Sequence, residues 1–327
     1  MDGLLVIDKP VGPTSHDVVA RVRKVVGERR IGHTGTLDPL ASGVLPLVVG
    51  RATRLARFLS AAEKSYEAVL RLGIETDSYD GTGRPVGAPH TGPHPSREAI
   101  EGALETFRGS FLQQPPAFSA KKIDGRRSYR LARSRARHAD LPADPALPAD
   151  PDLPADRGLP APVRVTAHAI ELVSICGQRV TVRLDCSAGF YVRSLAHDLG
   201  RRLGTGAHLA ELRRTRSGDV TLKEAIELEA AERDPGAAAA HVIPLRGLLP
   251  GLPAVVLTQS GVRHAVQGRD LGPADAVAQD SDGGGFNPVS DLVSVPLFRL
   301  FDPEGELVGL AGRARTPGLL HPSVILM

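Results

Sequence analysis

Between Gly32 and Arg54 the chain changes character once, and that change limits what it can build. Gly32-His33-Thr34-Gly35-Thr36-Leu37-Asp38 packs glycines, an imidazole, hydroxyls and a carboxylate into one short polar loop. Val44 to Val49, just beyond it, is an apolar run that belongs in a core as a buried strand. A glycine-bent loop fixed to a buried strand presents one reactive side chain at set geometry. Asp38 supplies the carboxylate of that loop and is the first candidate for chemistry. Asp38-Pro39 also fits a helix N-cap followed by proline in the first turn.

A chain of 327 residues is long for a single core, so two domains are expected. With 42% hydrophobic and 24% charged residues it has the composition of an ordinary globular protein. No segment reaches the roughly 20 apolar residues of a bilayer span. The stretch Met1 to Asp8 is too short and too acidic for an export signal. Cys176 and Cys186 lack metal-site spacing, and the glycine clusters match neither a phosphate-binding loop nor a dinucleotide fingerprint. The expectation is a cytoplasmic protein with no membrane partner, metal or cofactor.

The net charge of +3 is modest but unevenly spread. Lys121, Lys122, Arg126, Arg127, Arg130, Arg133, Arg135 and Arg137 face Asp124 alone in their stretch. Arg201, Arg202, Arg213, Arg214 and Arg216 form a second cluster. Such patches point to a polyanionic partner.

Leu4 to Ile7 reads as a strand, and Thr14 or Ser15 caps a helix with Val18, Val19 and Val22 on one face and Gly27 as its stop. Tyr66 to Leu72, Val163 to Val173 and Val180 to Cys186 read as strands, Ser96 opens a helix, and Tyr191 to Leu203 is helical up to Gly204. Leu-Pro-Ala-Asp recurs at 141, 147 and 153 within an insertion over 139–160 that has no apolar face. Beyond residue 250 short strand-like pieces alternate with Gly, Asp and Pro, which sets a boundary between 1–249 and 250–327.

Several segments together resemble the bacterial tRNA pseudouridine-55 synthases. They are Asp8-Lys9-Pro10-x-Gly12-x-Thr14-Ser15, Gly32-His33-Thr34-Gly35-x-Leu37-Asp38-Pro39-Leu40-Ala41-x-Gly43 and Lys64-x-Tyr66. Downstream stand Thr76-Asp77-x-x-Asp80, Gln114-Pro115-Pro116-Ala117-Phe118-Ser119-Ala120, Gly189-x-Tyr191-x-Arg193-Ser194-Leu195 and Gly206-Ala207-His208-Leu209-x-x-Leu212-Arg213-Arg214. The likeness runs nearly end to end. Phe118, where the family usually has Tyr, and the insertion are departures away from the reactive centre.

The resemblance implies an α+β pseudouridine-synthase fold: a large mixed, mostly antiparallel sheet flanked by helices, plus a small C-terminal all-β PUA-like domain. It implies a stand-alone, monomeric isomerase that flips a uridine out of the tRNA T-stem-loop without a guide RNA. Asp38 is then the nucleophile, Arg193 its ionic partner, and Tyr66 packs on the base and handles a proton. His33 fills the space the base leaves, Asp80 joins the Arg193 network, and Lys9, Tyr191 and Leu212 fall at substrate-site positions. Lys121, Lys122, Arg126, Arg127, Arg130, Arg213 and Arg214 are implied as contacts to the RNA backbone, those in 121–137 on a thumb-like segment. A non-catalytic RNA-binding or RNA-folding protein, and a guide-dependent relative, are the competing readings.

Overall fold

The structure, a computed structural model, describes residues 1–117, 122–123, 126–127, 160–277 and 297–327. Its contacts divide the chain into two units. Met1–Pro39, Gly43–Ala61 and Gly218–Met327 form the first, and Leu40–Ser42 with Ala62–Ser217 form the second.

The first unit opens with strand β1 (Gly3–Lys9), helix α1 (Ser15–Val26), the short β2 (Ile31–His33), β3 (Ala41–Val49) and a single-turn helix α2 (Ala56–Ser60). Leu5 and Ile7 on β1, and Leu45 and Leu47 on β3, are fully buried. That suits strands whose residues are apolar at nearly every position. β1 and β3 pair antiparallel, with Leu5 opposite Leu47 and Lys9 opposite Gly43. α1 starts where a capping box forms: Thr14 Oγ accepts from the Asp17 N–H, and the Asp17 carboxylate accepts from the Thr14 N–H. Gly27 ends it in the left-handed region, at φ 66°.

The second unit holds β4 (Lys64–Leu72), the short β5 (Glu75–Thr76) and β6 (Pro85–Val86), α3 (Arg97–Glu105) and β7 (Gly109–Gln113). β8 (Lys122–Ile123), β9 (Arg126–Arg127), β10 (Val163–Cys176), β11 (Arg179–Cys186), α4 (Val192–Arg202) and β12 (Ala207–Ser217) complete it. Five strands run in the order β12-β4-β11-β10-β7, all antiparallel. A core of Leu70, Leu72, Ile100, Leu104, Val182, Leu195 and Leu199 brings together residues of β4 and β11 with those of α3 and α4. The alternate residues of the strands carry charge in pairs, Arg179 with Glu211, Arg183 with Glu67 and Glu171, and Arg216 with Asp185. Exposed pairs of this kind add little stability and keep that side hydrated.

The chain then returns to the first unit through β13 (Val220–Thr221), β14 (Ile226–Glu227), α5 (Leu228–Arg233), α6 (Pro235–Ala240) and β15 (Ile243–Pro244). β14 joins β1 in parallel and β15 joins it antiparallel, which makes the sheet mixed. Arg21 of α1 grips Glu232 of α5 with two hydrogen bonds.

The last elements are β16 (Ala254–Val256), α7 (Gln259–Val266), β17 (Leu297–Phe301), β18 (Leu307–Arg313) and β19 (Leu320–Ile325). Their four strands form a separate sheet in that order, around Leu257, Phe298, Leu300 and Val308. This is the β module expected beyond residue 250, with one helix, α7, that the sequence pattern did not reveal. A further cluster unites its Leu307, Leu310 and Leu326 with Leu4, Val6, Val44 and Val48. Contacts therefore group the module with β1 and β3 instead of setting it apart.

Candidate active site

Asp38 stands half-buried between β2 and β3, in a loop pinned at several points. The Thr34 N–H donates to the Pro46 carbonyl at 3.1 Å, which folds the loop back onto β3. The Ser15 hydroxyl donates to the Leu37 carbonyl at 2.9 Å and accepts from the Leu37 N–H at 2.8 Å. The Gly12 N–H donates to the Pro39 carbonyl at 2.8 Å. No helix starts at Asp38: Pro39 and Leu40 form a turn that leads straight into β3. The helix-cap reading of Asp38-Pro39 is thus corrected, because β3 begins at Ala41 and leaves only Pro39 and Leu40 for a turn. His33 ends β2 with its ring edge-on to His16 of α1, centroids 5.2 Å apart. Lys9, at the end of β1, is fully buried and donates to the Pro10 carbonyl at 2.8 Å.

In the second unit Arg193 and Asp80 form a buried pair, with side chains 7% and 5% exposed. Arg193 Nη1 donates to Asp80 Oδ2 at 3.4 Å and to the Ser78 carbonyl at 3.3 Å. The other oxygen of Asp80 accepts from Ser78 Oγ at 2.9 Å, from the Thr82 N–H at 3.0 Å and from Thr82 Oγ at 2.6 Å. Burying a carboxylate without such a set of donors would be costly. One turn beyond Arg193 on α4, His197 stacks on Tyr79 at 3.9 Å between centroids and 12° between planes. Tyr79 sits at φ 64°, a strained value for a side chain of that size. Its carbonyl accepts from the Leu209 N–H at 3.0 Å, which ties the loop to β12. Burial pushes the His197 imidazole below its ordinary pKa while Glu75 draws it back, and burial raises the Tyr79 phenol.

α4 is aimed from both ends. Gln113 Nε2 donates to the Tyr191 carbonyl at 3.0 Å and Gln113 Oε1 accepts from the Tyr191 N–H at 2.8 Å. Ser194 Oγ donates to the Gln114 carbonyl at 2.6 Å. At the far end a Cβ on Gly200 would meet the Ala207 nitrogen at 2.1 Å, so only glycine lets α4 approach β12 that closely.

These features match known proteins along the whole chain. The model described as "TruB family pseudouridylate synthase (N terminal domain)" matches residues 23–144, and that described as "tRNA pseudouridylate synthase B C-terminal domain" matches residues 193–247. A tRNA pseudouridine synthase B of Solibacter usitatus is 41% identical over 332 residues, covering 100% of both chains. The chain belongs to the TruB family of pseudouridylate synthases. A second TruB-family relative, the tRNA pseudouridine synthase B of Dehalococcoides mccartyi, is 40% identical over 83% of this chain and 84% of its own. Among solved structures, a Cbf5-Nop10-Gar1 complex aligns with a TM-score of 0.68 at 28% identity, covering 99% of this chain and 85% of that one. An H/ACA RNP bound to a substrate RNA containing 2'-deoxyuridine aligns at 0.66 with 26% identity, over 99% and 85%.

The remaining residues singled out from this TruB-family sequence lie as follows. Tyr66 and Leu212 are half-buried on β4 and β12 and pack against the core of the second unit, and Tyr191 caps α4. Arg213 donates to Ser42 Oγ at 3.3 Å. Arg214 is corrected: it lies opposite Tyr66 and is 1% exposed, so it is no surface contact for a phosphate. Burial, helped by the charge of Arg214, pushes the neighbouring Lys64 down to about 8. Lys121, Arg130, Arg133, Arg135, Arg137 and Phe118 lie outside the described residues, as does nearly all of 139–160. Lys122, Arg126 and Arg127 are described only as backbone of the paired β8 and β9. Ser15, Gln113, Tyr79 and His197 are additions. Nothing in the local pattern marks Gln113, Tyr79 and His197, and Ser15 is marked only as the start of α1; each acts on a segment distant in sequence.

Among the described residues no cluster of His, Cys, Asp and Glu is placed to hold a metal, and no helix is long and apolar enough to cross a membrane.

Proposed function

We propose that this chain isomerises uridine to pseudouridine at position 55, in the T-arm of tRNA, acting alone in the cytoplasm as a monomer. The observation that carries the reading is the clamped Asp38 loop in a chain whose full-length relatives are named tRNA pseudouridine synthase B. Pseudouridine differs from uridine in one bond. The N1–C1′ bond breaks, a C5–C1′ bond forms, C5 loses a proton and N1 gains one, so no oxidant, reductant or cofactor is consumed.

Asp38 attacks the flipped nucleotide at C6 of the base or at C1′ of the ribose and leaves at the end, a covalent route of the kind carboxylates serve elsewhere. A carboxylate nucleophile carries its own negative charge and needs no neighbouring base to activate it. Arg193 supplies the counter-charge and Asp80 keeps that guanidinium in place. Tyr66 stacks on the base and takes part in proton transfer, Lys9, Tyr191 and Leu212 contact the substrate, and His33 holds the base out. The basic segment 121–137 and Arg213 contact phosphates, which makes binding strongly salt-dependent. The module from 250 to 327 serves as a PUA-like RNA-binding domain.

The test is pseudouridine mapping in a bare T-stem-loop transcript with no guide RNA or second protein. Wild-type protein is expected to convert the target uridine. Asp38→Asn is expected to bind the transcript with near-normal affinity and lose at least a thousandfold in rate, on the order of what removal of a nucleophile costs other enzymes. Conversion by Asp38→Asn would refute the mechanism. Conversion only with an added guide would favour the guide-dependent reading.

A further inference from the structure

We propose that Ser15 is a positioning residue for the Asp38 carboxylate, acting through the peptide groups that precede it. The inference rests on Asp38 being the nucleophile. Ser15 is the first residue of α1, a place where a hydroxyl often serves the helix itself. Here it does not, because Thr14 and Asp17 already close the capping box. The Ser15 side chain instead reaches across 22 positions of sequence to Leu37. With one bond donated and one accepted, it satisfies both backbone groups of the residue immediately before Asp38.

The residue after Asp38 is held from the same segment. Gly12, at φ 115°, turns its N–H onto the Pro39 carbonyl. A non-glycine residue would meet strain at that φ. Residues 12 to 15 therefore bracket Asp38 with three hydrogen bonds, two from a side chain and one from the backbone. Ser15 is only 1% exposed, so solvent is poorly placed to replace its hydroxyl. Rotation about the bonds flanking Leu37 would swing the carboxylate, whose attack tolerates an error of roughly 0.5 Å or 10–20°. A misplacement of about 1 Å costs on the order of a hundredfold in rate.

Three proteins are compared: wild type, Ser15→Ala, and Ser96→Ala, which removes the cap of α3 and touches nothing near Asp38. Ser15→Ala is expected to lose about ten- to a hundredfold in kcat with KM for the tRNA transcript nearly unchanged. Ser96→Ala is expected to keep kcat although it also unfolds at a lower temperature. Amide hydrogen exchange supplies a readout independent of activity: the Leu37 N–H should exchange faster in Ser15→Ala alone. Equal kcat in Ser15→Ala and wild type, or unaltered Leu37 exchange, would overturn the proposal. A wild-type protein inert on every tRNA transcript would overturn the functional reading, and Leu37 exchange would then decide the clamp by itself.

Discussion

The loop that carries Asp38 and the loop that carries Asp80 are both short and polar, yet the first is fixed through its backbone and the second through its side chains. Around Asp38 the backbone bonds run to Leu37 and Pro39, the peptide groups on either side of it. Around Asp80 the carboxylate itself is the anchor, taking donors from Ser78, Thr82 and Arg193. The contrast follows the work proposed for each. A nucleophile must arrive at a fixed place, and bonds to the peptide groups beside it hold the backbone from which its side chain starts. A carboxylate that only orients a guanidinium is better saturated, since buried charge is tolerated when hydrogen-bonded.

Substitutions can break that contrast. Replacing the guanidinium, in Arg193→Met, leaves Asp80 buried without its counter-charge. Thermal or urea unfolding should show a loss of about 3 kcal/mol, at the low end for a broken buried pair because three donors remain on Asp80. Pseudouridine formation should fall with it. Asp80→Asn keeps an oxygen for Ser78 and Thr82 but turns an amide nitrogen, which cannot accept, toward Arg193; the guanidinium retains the Ser78 carbonyl, so a smaller cost of about 1–2 kcal/mol is expected in the same unfolding assay. Near-zero cost in both would mean that the second loop is not held by charge.

The smallest effect concerns His197, which faces Tyr79, Glu75 and Arg201. Its folded pKa lies below the unfolded value near 6.5, chiefly through burial. The unfolded chain therefore takes up the proton first, and the stabilisation present above pH 6.5 is lost as pH falls through the window beneath it. His197→Phe keeps a ring on Tyr79 and removes the titration. Between pH 7 and 5 its melting temperature should fall less steeply than that of the wild type; parallel curves would sink this account.

Much of the first region was legible in the sequence. Thr14, Asp17 and Gly27 announce α1, and the uninterrupted apolar runs announce β1 and β3, because these signals are local and agree with one another. Asp38-Pro39 misleads as a helix cap for the opposite reason: the local preference of two residues yields to the pairing of a whole strand. The second region was less legible. Arg213-Arg214-Thr215-Arg216 reads as a basic patch, but the register of β12 shifts between Leu209 and Glu211 and again between Arg214 and Arg216. Two irregularities scramble the inside-outside alternation, and Arg214 ends up in the interior. The stack of His197 on Tyr79 joins positions that no period connects.

The cluster that unites Leu4 with Leu326 has a consequence for synthesis. Arg51 Nη1 donates to the Leu326 carbonyl at 3.0 Å, so the stretch following β3 also waits for residues more than 270 positions downstream. On the ribosome the second unit, continuous from Ala62 to Ser217, can close as soon as β12 emerges. Leu4 and Val6 of β1 and Val44 and Val48 of β3, though translated first, cannot complete their core until Leu307, Leu310 and Leu326 have followed. The core beneath the segment that bears Asp38 is thus closed by contacts of very long sequence separation, the kind that form slowly in a folding chain.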